Sequence, residues 1–271
     1  MKRKSIIGIL LVTVLVLCAC SGGAMSSDQS SGNTEPLSNA EIEQMYTNPD
    51  NYKNRHVVLT GKVFGQVERD EDGLYFQMYG DPENLEKNTV VFYPGTETPL
   101  SPDDYVYISG TIEGTFEGEN AFGGTIIAAT VIADTLEVIS YVQAVSPTIQ
   151  TIGVNETQNQ YGYMVTLDRV EIAENETRVY LSVHNMGESE LSLFSYSSKI
   201  IQSGRQFEQQ TNWEADYPDI QSDIFVGVSS EGIIPFPAIE YSDFQFIIEG
   251  YSGNWHEDLQ PYVFNISVPV S

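Results

Sequence analysis

Three histidines, many carboxylates and two tryptophan-bearing loops are the side chains through which this 271-residue chain could do chemistry. His56, His184 and His256 each stand alone, with no second histidine at ligand spacing and no HExxH, so no pattern here calls for zinc. His56 and His184 fall on alternating segments, out of phase with their apolar neighbours, which predicts half-exposed strand histidines. Serine is abundant, yet no Gly-x-Ser-x-Gly elbow occurs to present one as a nucleophile. Carboxylates are so frequent that any two could be paired as a glycosidase dyad, which makes such a pairing uninformative. Two acidic clusters offer the oxygen ligands calcium takes: residues 68–73, and Asp216 with Asp219 and Asp223. The first lacks EF-hand spacing and the closing glutamate, and its Asp72-Gly73 reads as a turn. No catalytic residue, cofactor or metal ligand is expected, and the chain reads as non-enzymatic.

Recognition is the chemistry these residue types fit better. The loops around Trp213 and Tyr217 and around Trp255 mix aromatic with polar side chains, as do contact surfaces for proteins or sugars. In a β-sandwich the default for each tryptophan is instead to cap one end of the core. Tyr75, Tyr79 and Tyr107 form a comparable set in the first half of the chain.

The elements that would hold these residues are mostly strands, as sixteen Tyr, twelve Phe and frequent Gly turns suggest. Ser38-Asn39-Ala40-Glu41 is a capping box that predicts a short helix to Tyr46, closed by Asn48-Pro49. Residues 56–67 alternate, with Val57, Leu59, Gly61, Val63 and Val67 on one face. Strands follow at 74–79, 89–93, 105–116 and 124–139, and Val106, Ile108, Ile112 and Phe116 are expected inside. One helix and five strands suggest a closed barrel over residues 36–145. Pro147, in Val145-Ser146-Pro147, and the polar residues 155–160 together mark the junction to a second domain at 146–271. There, strands at 163–172, 178–184, 198–207, 224–228, 232–236, 244–248 and 261–268 imply a disulfide-free sandwich. The fold class is therefore mostly β: a five-stranded barrel with a short N-terminal helix, then an antiparallel β-sandwich.

The N-terminus decides the compartment. Lys2, Arg3 and Lys4 precede an apolar run at 6–17, and Leu17-Cys18-Ala19-Cys20 follows. This resembles the lipobox of bacterial lipoproteins, with cleavage after Ala19 and acylation of Cys20 by chains such as palmitate. Residues 1–19 are then a signal peptide and 20–35 a Ser/Gly-rich tether, with a reach of roughly 20–25 Å. Both cysteines belong to this region, so the body has no thiol chemistry and no disulfide. The sequons at Asn155, Asn175 and Asn265 carry little weight in a bacterium. Processing leaves nine basic against 38 acidic side chains, a formal charge of −29. Residues 36–145 alone carry 18 acidic and five basic ones, which disfavours nucleic acid as a partner.

The run from Tyr46 to Val63, with Tyr52, Thr60 and Gly61, and the segment Tyr105-Val106-Tyr107-Ile108-Ser109-Gly110-Thr111-Ile112 resemble the tRNA-anticodon-like OB family of bacterial surface proteins. That likeness implies an OB-like barrel whose face can bind a ligand. Arg178-Val179-Tyr180-Leu181-Ser182-Val183-His184-Asn185-Met186-Gly187, with Leu191-Ser192-Leu193 and Glu231-Gly232-Ile233-Ile234-Pro235-Phe236, resembles an uncharacterised immunoglobulin-like family common on Gram-positive lipoproteins. Its members are sometimes labelled after telomeric repeat-binding factor 2, a label their sequence does not justify. Together these readings imply a lipid-anchored, extracytoplasmic surface protein. Its expected partners are the bilayer through Cys20 and an envelope protein or neutral glycan; a sugar-binding or hydrolytic accessory role is the alternative.

Overall fold

The computed structural model describes residues 35–119 and 124–268. The signal segment, Ala19, Cys20 and the tether as far as residue 34 lie outside the described residues. The chain is mostly β, with a closed barrel followed by further antiparallel sheets. Among the described residues no helix is long and apolar enough to cross a membrane.

The capping box forms: Ser38 Oγ accepts the Glu41 amide, and Glu41 Oε2 accepts the Ser38 amide at 2.9 Å. It starts α1 (Asn39–Thr47), which sends Met45 into the barrel core before a 3-10 turn at Pro49–Tyr52. Five strands follow: β1 (His56–Arg69), β2 (Leu74–Asp81), β3 (Glu86–Tyr93), β4 (Tyr105–Glu119) and β5 (Thr125–Ile139). They close in the order β1-β2-β3-β5-β4, with β3 and β5 parallel and the other pairs antiparallel. This is the five-stranded OB-like barrel that the sequence predicts. Alternation explains it: Val57, Leu59 and Val63 point inward beside Phe76, Met78, Val106 and Ile108.

Phe116 departs from expectation, being 40% exposed. A register shift between Ile112 and Gly114, with Gly114 at φ 125°, interrupts the alternation. From the Phe116–Ala128 pair onward β4 and β5 pair only with each other, so Phe116 begins a two-stranded ribbon that leaves the barrel wall.

A single capped turn, α2 (Tyr141–Ala144), leads into the second half. Its strands are β6 (Gln150–Gln160), β7 (Tyr163–Ile172), β8 (Glu176–Asn185), β9 (Leu191–Leu193), β10 (Lys199–Gln202) and β11 (Arg205–Glu208), then β12 (Asp223–Ile224), β13 (Ser229–Pro237), β14 (Phe244–Ile248), β15 (Gly250–Ser252) and β16 (Tyr262–Ile266). Two four-stranded sheets, β13-β8-β7-β6 and β11-β10-β14-β16, share one apolar core built on Val165, Leu181, Phe236, Phe246 and Phe264. A small third sheet, β12-β9-β15, lies alongside.

Three sequence expectations change here. Residues 155–160, read as part of the junction, are the second half of β6. This strand has one ladder neighbour, so most of its side chains stay exposed and polar. The supposed single strand 198–207 is a hairpin, β10 to β11, turned by Ser203 and Gly204 at φ 51° and 76°. The supposed strand at 224–228 ends at Ile224, and Phe225, Val226 and Val228 are exposed.

Candidate functional site

An open concavity is built on the loop between β11 and β12. Gln210 donates its amide to Pro235 O at 3.0 Å, and Ile233 donates to Pro218 O at 2.8 Å, which lays the loop along β13. Gly232 permits this approach, since a Cβ there would stand 2.6 Å from Pro218 O. Deeper in, Glu176 anchors the loop: Asn212 Nδ2 donates to its Oε2 at 3.1 Å and the Tyr217 hydroxyl to its Oε1. Glu176 is itself buried and bound by Arg178, whose Nη1 lies 2.7 Å from Oε1. Burial, followed by the Glu176 carboxylate, pushes the Tyr217 hydroxyl well above its ordinary value.

The barrel holds the same loop from the other side. Glu214 accepts from Lys62 Nζ and from the Tyr105 hydroxyl, the latter at 3.2 Å. The Lys62 hydrogen bond is the main reason the Glu214 carboxyl falls below its usual range. Tyr105, Tyr141 and Tyr217 then stack edge to face, with centroids 5.7 and 6.3 Å apart.

Fixed at both ends, the loop leaves Trp213 89% exposed. Tyr196, on the short 3-10 turn Ser195–Ser197, is 70% exposed and packs against Phe194 at 5.6 Å. Trp213 and Tyr196 both line an open cleft of about 470 Å³. Its walls include Tyr196, Asn212, Trp213, Asp216, Tyr217 and Asp219, and its lining holds no Lys, Arg or His. Aromatic planes, carboxylates and carboxamides in one concavity can stack on and hydrogen-bond a neutral or cationic ligand. The default expectation for Trp213, a cap on the sandwich core, is overturned.

Trp255 is also uncapped, at 86% exposure, but it belongs elsewhere. Its loop is tied to Gln160 by the Gln260 amide at 2.9 Å and to Tyr163, whose hydroxyl donates to Glu257 Oε2 at 2.8 Å. That is the end of β7 and β8 opposite Glu176, about 30 Å along the strands. The two tryptophans therefore do not share a site.

On the barrel, Tyr75 and Tyr79 project from the same outer face of β2. Tyr75 packs on Phe92 at 4.6 Å, and Tyr79 stacks on Phe64 at 4.1 Å. Gln77 sits between them and accepts from Asn88 Nδ2 at 3.4 Å. Phe64 and Phe92 were missed in the sequence, although each lies one residue out of phase with a buried valine, Val63 and Val91. Tyr107 does not join this strip: it sits on β4 opposite Thr60, with β1 between it and β2.

The other candidates resolve separately. His56 meets Ser109 Oγ at 3.3 Å, His184 meets Ser229 Oγ at 2.7 Å, and both are half-buried strand residues. Asp70 Oδ1 accepts the amides of Asp72 and Gly73 at 2.9 and 3.1 Å, which closes the β1-β2 turn. Asp223 accepts from Ser192 Oγ at 2.9 Å across the β12-β9 pair. Among the described residues no three His, Cys, Asp or Glu side chains gather as a metal site. No family model, curated protein or solved structure matches this chain.

Proposed function

We propose that this chain is a lipid-anchored, extracytoplasmic binding protein that acts without catalysis, tethered through acylated Cys20 and recognising its ligand in the cleft lined by Tyr196 and Trp213. The observation that carries the reading is the exposure of Trp213, which the protein holds out from a loop fixed on two sides. An acidic lining without cations favours a positively charged envelope protein or a neutral glycan over nucleic acid or another anionic polymer. The likeness to bacterial lipoproteins of OB-like and immunoglobulin-like build supports the same compartment. The aromatic strip Phe64, Tyr79, Tyr75 and Phe92 offers a second contact face, on the strands OB barrels commonly use.

Titration of the purified full chain against a glycan array and against isolated envelope proteins tests the reading. Trp213→Ala and Tyr196→Ala are expected to weaken the retained ligand at least tenfold with the melting temperature unchanged. Ligand binding indifferent to both substitutions overturns the site. Cys20→Ala is expected to move the protein to the aqueous fraction or leave its signal uncut, and mature protein retained in the membrane overturns the anchor.

The flanking aromatic planes also favour a second reading, a sugar-binding or hydrolytic accessory protein of the envelope. Release of reducing ends from a bound glycan would select the hydrolytic form.

A further inference from the structure

The end of the sandwich remote from the linker exposes a cluster of large apolar side chains. Tyr161, Met186, Phe225, Val226, Val228 and Trp255 are each between 45% and 86% exposed. They come from four loops, and hydrogen bonds place these loops side by side. Asn185 donates its amide to Val228 O at 3.0 Å and receives that of Gly227 at 2.8 Å, which seats the Phe225 turn against the end of β8. Met186 donates to Gly162 O at 2.9 Å, which brings it beside the Tyr161 turn. Gln160 and Tyr163 hold the Trp255 loop on the same side.

These loops are fixed. The Asn185 side chain is fully buried and satisfied: Nδ2 donates to Ser189 O at 2.8 Å and to Ile224 O at 2.7 Å, and Oδ1 accepts the Gly187 amide at 2.9 Å. One carboxamide thus locks the two loops that carry Met186 and Phe225. Gly162, at φ 92°, permits the tight contact, since a Cβ there would meet Gly187 N at 2.8 Å. Soluble monomers rarely expose contiguous apolar patches beyond a few hundred Å², and a preorganised patch avoids the ordering cost of binding.

Charge selects the occupant. The same loops carry Glu188, Glu190, Glu257 and Asp258 and no Lys or Arg. Acidic rims repel each other across a homodimer and repel an anionic bilayer. They match a protein whose apolar recess is bordered by Lys and Arg. We infer that this tip docks such a basic-rimmed protein, independently of the cleft and of any ligand it takes.

The test places a photo-crosslinking residue at Met186 or Phe225 of the full chain in cells that produce it, with exposed Ile149 at the other end of β6 as the control. The expected result is one protein adduct from both tip positions and none from Ile149. Binding of that purified protein to the chain should fall at least tenfold in M186S/F225S and in E188K/D258K, and should weaken as salt rises, with the melting temperature kept. Binding insensitive to both variants or to salt, adducts only to a second copy, equal binding to neutral phosphatidylcholine vesicles, or no adduct at either position would each overturn the proposal.

Discussion

Arg178 and Glu176 lie two positions apart on β8, with Nη1 and Oε1 2.7 Å apart and both side chains buried. The guanidinium also reaches Glu171 at 3.3 Å, Ser146 O at 2.9 Å and Thr148 Oγ1 at 2.7 Å. One cation therefore bridges two carboxylates, of which Glu171 is also paired with Arg169 at 2.9 Å, and pins the linker to the sandwich. Arg178→Met would leave the buried Glu176 carboxylate without a cation, while Glu171 keeps Arg169 at 2.9 Å, a loss expected at about 3–5 kcal/mol. Glu176→Gln keeps the Glu171 partner and should cost less. Urea unfolding of both variants checks the order, and a reversed order would show that Glu171 does not share the charge.

What the sequence made legible followed from periodicity. Barrel strands with an apolar residue at every second position, such as Val57, Leu59 and Val63 of β1, appear where period 2 puts them, and Ser38 to Glu41 marks the helix start. The losses have physical causes. Strand β6 carries a strand's hydrogen bonds on residues of loop composition, because an edge strand buries little. Phe225 and Val226 look like core residues by type, yet they sit on a turn. Trp213 and Tyr217 were readable as contact residues, but Tyr196, about 20 positions earlier, joins them in lining one cleft only through the sandwich topology.

Domain docking rests on the stack of Tyr105, Tyr141 and Tyr217 more than on its ion pair. Glu214 is 57% exposed, so its bond to Lys62 is worth little, at most about 1 kcal/mol. Tyr141→Ala removes two edge-to-face contacts, each worth about 0.5–1.5 kcal/mol. Scanning calorimetry should show the transition of Tyr141→Ala broaden or split into barrel and sandwich components, while Glu214→Gln keeps the parent profile. A single sharp transition in Tyr141→Ala would mean the two halves couple by another route.

Gln158 closes the seam between the sheets. Its Nε2 donates to Val263 O at 2.7 Å and its Oε1 accepts the Val263 amide at 3.3 Å, so a side chain does for β16 what a neighbouring strand would do. Gln160 repeats the arrangement with Gln260. Gln158→Leu would strand both backbone groups of a partly buried residue, at a cost of about 1–3 kcal/mol. Hydrogen exchange at the Val263 amide should quicken by tenfold or more, ahead of exchange in β14. Unchanged exchange there would show that β16 needs no such brace.

Stability against pH should fail at both ends. Glu171 is pushed up by burial, but hydrogen bonds from Arg169, Tyr180 and Thr148 and the charge of Arg178 outweigh this and hold its carboxyl below the ordinary 4.5. A lowered carboxyl pKa gives stability that is present above that ordinary value and is lost as pH falls through the folded one. At the alkaline end, burial against the barrel raises the Tyr46 hydroxyl from 10.0 to about 12. A raised pKa gives stability that is full below 10.0 and disappears as pH rises through about 12. Tyr46→Phe removes the 2.8 Å bond to Thr89 and lowers stability at neutral pH, yet it should flatten the loss above 10.0. Melting temperatures of parent and variant across that range decide the matter: parallel curves would place the alkaline loss on Tyr105, Tyr217 or Tyr262, whose hydroxyls are also raised, in each case first by burial.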